Sequence, residues 1–131
     1  MSADEATAKA EVEAAFAAYE SALVGNEVAA LDGFFLNSAD VVRYGVGENL
    51  YGYGSIKAFR AGRSPADLAR RLEKTAIVPY GRNCAIAATL FRRDSSPGKI
   101  GRQMQTWVRF PEGWRIVAAH VSIINDPDVK T

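Results

Sequence analysis

The stretch from Gly101 to Ser122 constrains this chain most. GRQMQTWVRF and WRIVAAHVS, both rich in β-branched and aromatic residues, flank Pro111-Glu112-Gly113, a pattern that specifies a β-hairpin. Simple alternation along the second strand puts Trp114, Ile116, Ala118, His120 and Ser122 on one face, and Arg115, Val117, Ala119, Val121 and Ile123 on the other. Neither face is simply polar. A strand that is apolar on both sides is covered on both, so helices are expected against one face and a second layer or a second copy of the chain against the other. The only histidine, His120, lies on this hairpin.

A chain of 131 residues with 48% hydrophobic residues supports one domain with one core. The reading is a single domain over residues 1–131, with 1–4 and 125–131 expected to fray. The formal charge of +1 argues against a general polyanion binder. That charge is unevenly placed: residues 1–48 carry nine acids and two bases, and residues 49–125 carry four acids and thirteen bases. An acidic amino-terminal helix and a basic remainder follow. Arginine outnumbers lysine eleven to five, and arginine is the side chain that holds carboxylates bidentately. On residue type alone most of these arginines read as solvated strand faces.

Cys84 is alone, so no internal disulfide is possible and a reducing compartment is expected. The start MSADEATAKAE lacks the basic and apolar regions of a secretory signal, and no apolar run reaches the roughly 20 residues of a membrane span. A cytoplasmic protein is expected, with no membrane partner.

In chain order, Asp4 to Val24 reads as a long helix closed by Gly25-Asn26, with Val12, Phe16, Tyr19 and Leu23 as its buried stripe. A short helix near Glu27–Phe35 and a strand Asp40–Tyr44 follow. GVGENLYGYG, with four glycines, reads as a mobile loop, and it lacks the spacing of a nucleotide fingerprint. Ser55 is placed to cap a helix from Ile56 to Gly62. On that helix Ile56, Phe59, Arg60 and Arg63 share a face, so two guanidiniums fall on the side marked as inward. Strands near Arg70–Tyr80 and Cys84–Arg93 then join the closing hairpin as an antiparallel meander. The layout is α+β, a curved, mostly antiparallel sheet wrapped around amino-terminal helices.

One His and one Cys cannot build a zinc site, no acids stand at metal-ligand spacing, and no nucleophile elbow is present. No metal or cofactor is expected. The bases are scattered without interleaved aromatics, so nucleic acid is not an expected partner. What remains is a convergence: Tyr19, Arg43, Arg60, Arg63, His120 and Ser122, with Gln105 and Trp107 on one face of the hairpin's first strand, are expected to face one cavity. An arginine-lined apolar pocket suits a small carboxylate or dicarboxylate. Tyr19 and His120 are then the two proton-transfer candidates.

The long helix, short helix, strand, glycine loop and closing WVRFPEGWRIVAAHVS hairpin together resemble the NTF2-like (SnoaL-like) superfamily, whose fold is a cone. VVRYG, YGYGSIKAFRAGR and QTWVRFPEGWRIVAAHVS, within Glu11 to Ser122, resemble the AtzH-like family, also called HpxZ-like. That resemblance implies helpers of amidase pathways, in cyanuric acid or oxalurate breakdown, and a decarboxylating amide hydrolysis of a dicarboxylated urea. It assigns Tyr19 and Arg43 to that activity and Arg60 and Arg63 to the helix that follows. Related isomerases and cyclases carry an acidic base near the end of the first strand. Here Arg43-Tyr44-Gly45 stands in that region, which disfavours a carbanion mechanism.

The expectation is thus a hydrolase or decarboxylase acting on a small N-carboxylated urea or amide. Tyr19, Arg43 and His120 would be catalytic, and Arg60, Arg63, Gln105, Trp107 and Ser122 would bind substrate. The alternative is a non-catalytic dimeric protein that binds a carboxylate or stabilises an amidase partner; a ketosteroid-isomerase-like isomerase or cyclase ranks third. A homodimer is expected through the outer sheet face bearing Val117, Ala119, Val121 and Ile123.

Overall fold

The computed structural model describes residues 1–128. Helix α1, Ala3–Val24, begins on a capping box in which the Ser2 hydroxyl accepts from the Glu5 amide and the Glu5 carboxylate accepts from the Ser2 amide. The amino terminus is therefore anchored where fraying was expected. Val12, Phe16, Tyr19 and Leu23 all lie buried along the inner stripe of α1. Helix α2, Val28–Gly33, turns back against α1 and leads to the short strand β1, Val42–Tyr44.

The glycine-rich stretch is a short turn over residues 45–48 followed by a strand and the start of a helix. Strand β2, Asn49–Tyr51, pairs antiparallel with β1, and the Gly45 amide closes the turn on the Glu48 carbonyl at 2.9 Å. Helix α3, Tyr53–Ala61, starts two residues before Ser55, on Gly52, whose φ of +87° suits glycine. The glycines thus close a turn and start a helix.

Strands β3 (Arg71–Pro79), β4 (Cys84–Arg92), β5 (Lys99–Phe110) and β6 (Gly113–Asn125) form the antiparallel meander, and β1 adds to β6 in parallel. The sheet order is β2-β1-β6-β5-β4-β3. Helix α1 packs against β3 and β4, and the core gathers Val12, Phe16, Leu31, Phe35, Val41, Ile56, Trp107 and Ile116 between helices and sheet. The result is the expected α+β cone.

One irregularity decides which side chains enter it. Trp107 pairs with Ile116 but Thr106 pairs with Ala118, so Val117 is an extra, unpaired residue, a β-bulge. Alternation breaks there. Trp114 and Ile116 face inward as expected, yet beyond the bulge it is Ala119, opposite buried Gln105, that faces inward. Ala118, His120 and Ser122 turn outward, beside the exposed Met104. The set Ala119, Val121 and Ile123, expected on the outer face, lies on the inner one.

At the carboxyl end Asp126 is buried, accepts from Arg92 at 2.6 Å and bonds through its amide to the Gly98 carbonyl at 2.9 Å. Residues 125–128 are thereby fixed, and the expectation for 129–131 lies outside the described residues. Among the described residues, no helix is long and apolar enough to cross a membrane.

Candidate functional site

The interior of the cone is lined by arginine. Arg43 projects inward from the middle of β1, with its Nη1 2.9 Å from the Glu48 carboxylate and its guanidinium over the Phe59 ring at 5.5 Å. Arg60, on the inner face of α3, is only 3% exposed and lies 5.3 Å from the centroid of the Phe35 ring. Such stacking lets a planar cation sit among apolar neighbours. The nearest carboxylate to Arg60 is Asp32 from α2, at 3.6 Å, and neither the Asp32 Oδ1 nor the Arg60 Nε makes a hydrogen bond. Arg60 Nη1 is also unpartnered.

Arg63 follows the helix and is half-buried, with Nε and Nη2 buried and unpartnered. Its pKa is lowered first by burial and then by the charge of Arg60; the Tyr19 phenol acts the other way, and Arg43 and Arg93 lower it further. Those groups therefore stand within electrostatic reach of Arg63. An arginine remains charged at neutral pH even so. Tyr19 is held by edge-on contacts with Phe34 and Phe35 at 5.7 and 6.4 Å. Around Arg63 the structure gathers Tyr19, Arg43 and Arg60, and these residues are the first half of the candidate site.

The second half was not legible. Arg70 makes a bidentate pair with Glu20 of α1 at 2.6 and 2.7 Å, donates to the Gln103 Oε1 at 3.0 Å and covers the Phe91 ring at 4.4 Å. Arg93 lies 4.9 Å from the centroid of the same ring, with its Nε buried and unpartnered. Gln103 is available from the sequence, because it shares its strand face with Gln105 and Trp107. Arg70 and Arg93 read as solvated strand faces; the one local signal is that Arg93 continues the face of Ala85, Ala87, Thr89 and Phe91, and nothing local marks Arg70 as interior.

Gln105 and Trp107 are buried as neighbours: the Trp107 indole donates to the Gln105 Oε1 at 3.0 Å. They support the interior wall. His120 and Ser122 do not join the site, because the bulge at Val117 sends them to the outer face. There His120 contacts Tyr44 edge-on at 6.1 Å and Ser122 accepts from Arg102 at 3.1 Å. Of the two proton-transfer candidates, Tyr19 alone stands among the arginines.

Guanidinium and indole N–H groups only donate, so both glutamines must turn their oxygens toward Arg70 and Trp107 and keep their NH₂ groups as the remaining donors. Arg43, Arg60 and Arg70 have carboxylate partners, whereas Arg63 and Arg93 have none among the described residues. The unspent hydrogen-bonding capacity is overwhelmingly that of donors, and the charge is in positive excess. Among the described residues, no group of three His, Cys, Asp or Glu side chains is placed to hold a metal ion.

A curved sheet closed by amino-terminal helices over an interior site is the NTF2-like architecture. A Novosphingobium aromaticivorans NTF2-like protein with a cystatin-like fold superposes with a TM-score of 0.71 at 19% identity, over 92% of this chain and 84% of that one. Two solved structures are much nearer in sequence. A Pectobacterium atrosepticum protein of unknown function is 56% identical, with a TM-score of 0.90 over 93% of this chain and 94% of its own. A Burkholderia xenovorans cystatin-like fold protein is 43% identical, with a TM-score of 0.86 over 90% and 92%. The chain belongs to the AtzH-like family, whose profile matches residues 1–127. No curated protein matches it at a significant level.

Proposed function

We propose that the interior arginine cluster binds a small carboxylate and that the protein acts on an N-carboxylated urea or amide. One observation carries the reading: Arg60 and Arg63 present buried N–H donors with no protein acceptor. Buried donors left unmade cost about 1–3 kcal/mol each, more when charged, and a bound carboxylate supplies the missing acceptors and countercharge. A cation or a neutral apolar ring would leave both wants unmet.

In this reading Arg60 and Arg63, with Arg43 already oriented by Glu48, hold the labile carboxylate. The bond between that carboxylate carbon and nitrogen breaks, its electron pair passes to nitrogen, and nitrogen takes the Tyr19 phenol proton. The carbon departs as carbon dioxide and solvent restores the phenol. Positioning and fixed charge supply the rate. The resemblance of the family to amidase-pathway helpers supports the substrate class.

The test is a thermal-shift screen of wild type, Arg63→Met and Tyr19→Phe with mono- and dicarboxylates, followed by carbon dioxide release from carboxylated ureas. Ligand at 100 times its Kd adds about 2.7 kcal/mol. Wild type responds, Arg63→Met does not, and Tyr19→Phe binds without turnover. Binding by wild type with no turnover of any carboxylated urea favours the accessory role, and no response to any carboxylate overturns the reading.

The reading includes a homodimer through the outer sheet face. Its residues are Val42, Tyr44, Met104, Thr106, Ala118 and His120, around a groove of about 220 Å³. Met104 is 55% exposed there.

A further inference from the structure

Beyond the Arg60 and Arg63 grip, the geometry points to a second, separable subsite in which Gln103 and Arg93, at the Phe91 end of the cone, donate to an acceptor on the ligand. This inference rests on the carboxylate reading of the same interior and adds to it the residues that recognise the ligand's far end.

Gln103 is 3% exposed, and its Nε2 is buried without a hydrogen-bond partner. Its orientation is not free. The Arg70 guanidinium donates to the Gln103 Oε1, and Arg70 is itself locked by the bidentate Glu20 pair, so the amide cannot flip without setting donor against donor. The NH₂ group is thereby fixed as a buried, unspent donor. Buried side-chain donors are nearly always satisfied in folded proteins, so a rigidly held exception calls for an acceptor from outside the chain.

Arg93 supplies the charge. It shares the Phe91 ring with Arg70, its Nε is buried and unpartnered, and its pKa is lowered by burial and then by Arg70. The ring itself is pinned: it lies over Gly101, where even a methyl group would come within 2.1 Å of it. Gln103 and Arg93 thus hang from one rigid assembly of Glu20, Arg70, Phe91 and Gly101. The Arg60 and Arg63 donors hang from α3 and the turn after it. Because the two sets are held by different elements, each can be removed without dismantling the other.

A ligand spanning both sets needs acceptors at each end. The consequence is selectivity: Gln103 and Arg93 reward a second carboxylate or carbonyl oxygen and do nothing for a ligand that ends before reaching them.

The experiment is isothermal titration of malonate, succinate and glutarate against acetate, propionate and butyrate, on wild type, Gln103→Leu, Arg93→Met and Arg63→Met. Wild type prefers its best dicarboxylate over the matching monocarboxylate by about 10- to 100-fold, the worth of one or two charged hydrogen bonds. Gln103→Leu and Arg93→Met bring that preference close to one while monocarboxylate affinity stays within about twofold of wild type. Arg63→Met weakens both ligand classes. Circular dichroism establishes that each variant is folded. Where Gln103→Leu is not, Gln103→Glu keeps an acceptor for Arg70, opposes an anion, and gives the same loss of preference. Wild-type preference retained in folded Gln103 and Arg93 variants overturns the subsite, as does an equal loss for mono- and dicarboxylates, which would put both residues in one undivided site. Absence of any carboxylate binding to wild type overturns the underlying reading and the subsite together.

Discussion

Arg63 is a residue whose conformation costs stability. Its buried Nε and Nη2 lack acceptors, and its neighbours are other guanidiniums. Arg63→Met keeps the length of the stem and removes the unmet donors, so it is expected to raise stability by about 1–3 kcal/mol in urea denaturation while abolishing the carboxylate response. Lower stability in that variant would mean that the guanidinium is satisfied in the folded protein. Gly101 acts in the opposite sense. An alanine methyl there would meet the Phe91 ring at 2.1–2.4 Å, and that ring is braced by Arg70 and Arg93. Gly101→Ala is expected to cost about 1–3 kcal/mol, measured as a lower denaturation midpoint with an unchanged slope.

At the scale of elements, the uneven charge of the sequence is resolved by α1 lying against the basic sheet. Glu5 accepts from the Gly81 amide, Glu11 from Arg82 and the Trp114 indole, and Glu20 from Arg70. The Trp114 and Arg82 hydrogen bonds hold the Glu11 carboxyl below the usual carboxylate range, and the Gly81 amide does the same for Glu5. A carboxylate with a folded pKa below its unfolded one adds stability above the unfolded value, near pH 4, and loses it as pH falls through the folded value. The melting temperature is therefore expected to drop as pH falls below about 4. Glu11→Gln should show a shallower acid limb; an identical limb would remove Glu11 from the account. The helices and meander were legible because their periodicity and turns are local. The α1 stripe through Tyr19 and the inward Arg60 came from spacing alone. The inward turn of Arg70 was not legible, because it depends on Phe91 and on Glu20 of α1, both distant in sequence. Nor was the exclusion of His120, because one unpaired residue inside β6 leaves no mark on composition.

For the whole molecule, the interior carries more cation than its own carboxylates balance, and the outer sheet face presents apolar side chains to solvent. In the reading proposed above, the first calls for a ligand and the second for another copy of the chain. Sedimentation at micromolar concentration is expected to give twice the chain mass of 14.2 kDa, and Met104→Lys to shift it toward the single chain, since a charge at the centre of an apolar interface is strongly disfavoured. A single-chain mass for wild type would leave the outer face without that role, and the interior reading would stand independently.

The bulge at Val117 bears on how relatives of this chain diverge. Because Val117 has no partner, a sequence lacking it would keep Trp107 opposite Ile116 and Thr106 opposite Ala118, with every later pair of β6 unchanged. What it would lose is the local bend and added twist that an extra residue gives a strand. A one-position gap there would thus leave the inventory of inward side chains intact and flatten the wall that carries them, altering the volume enclosed without altering any residue that lines it.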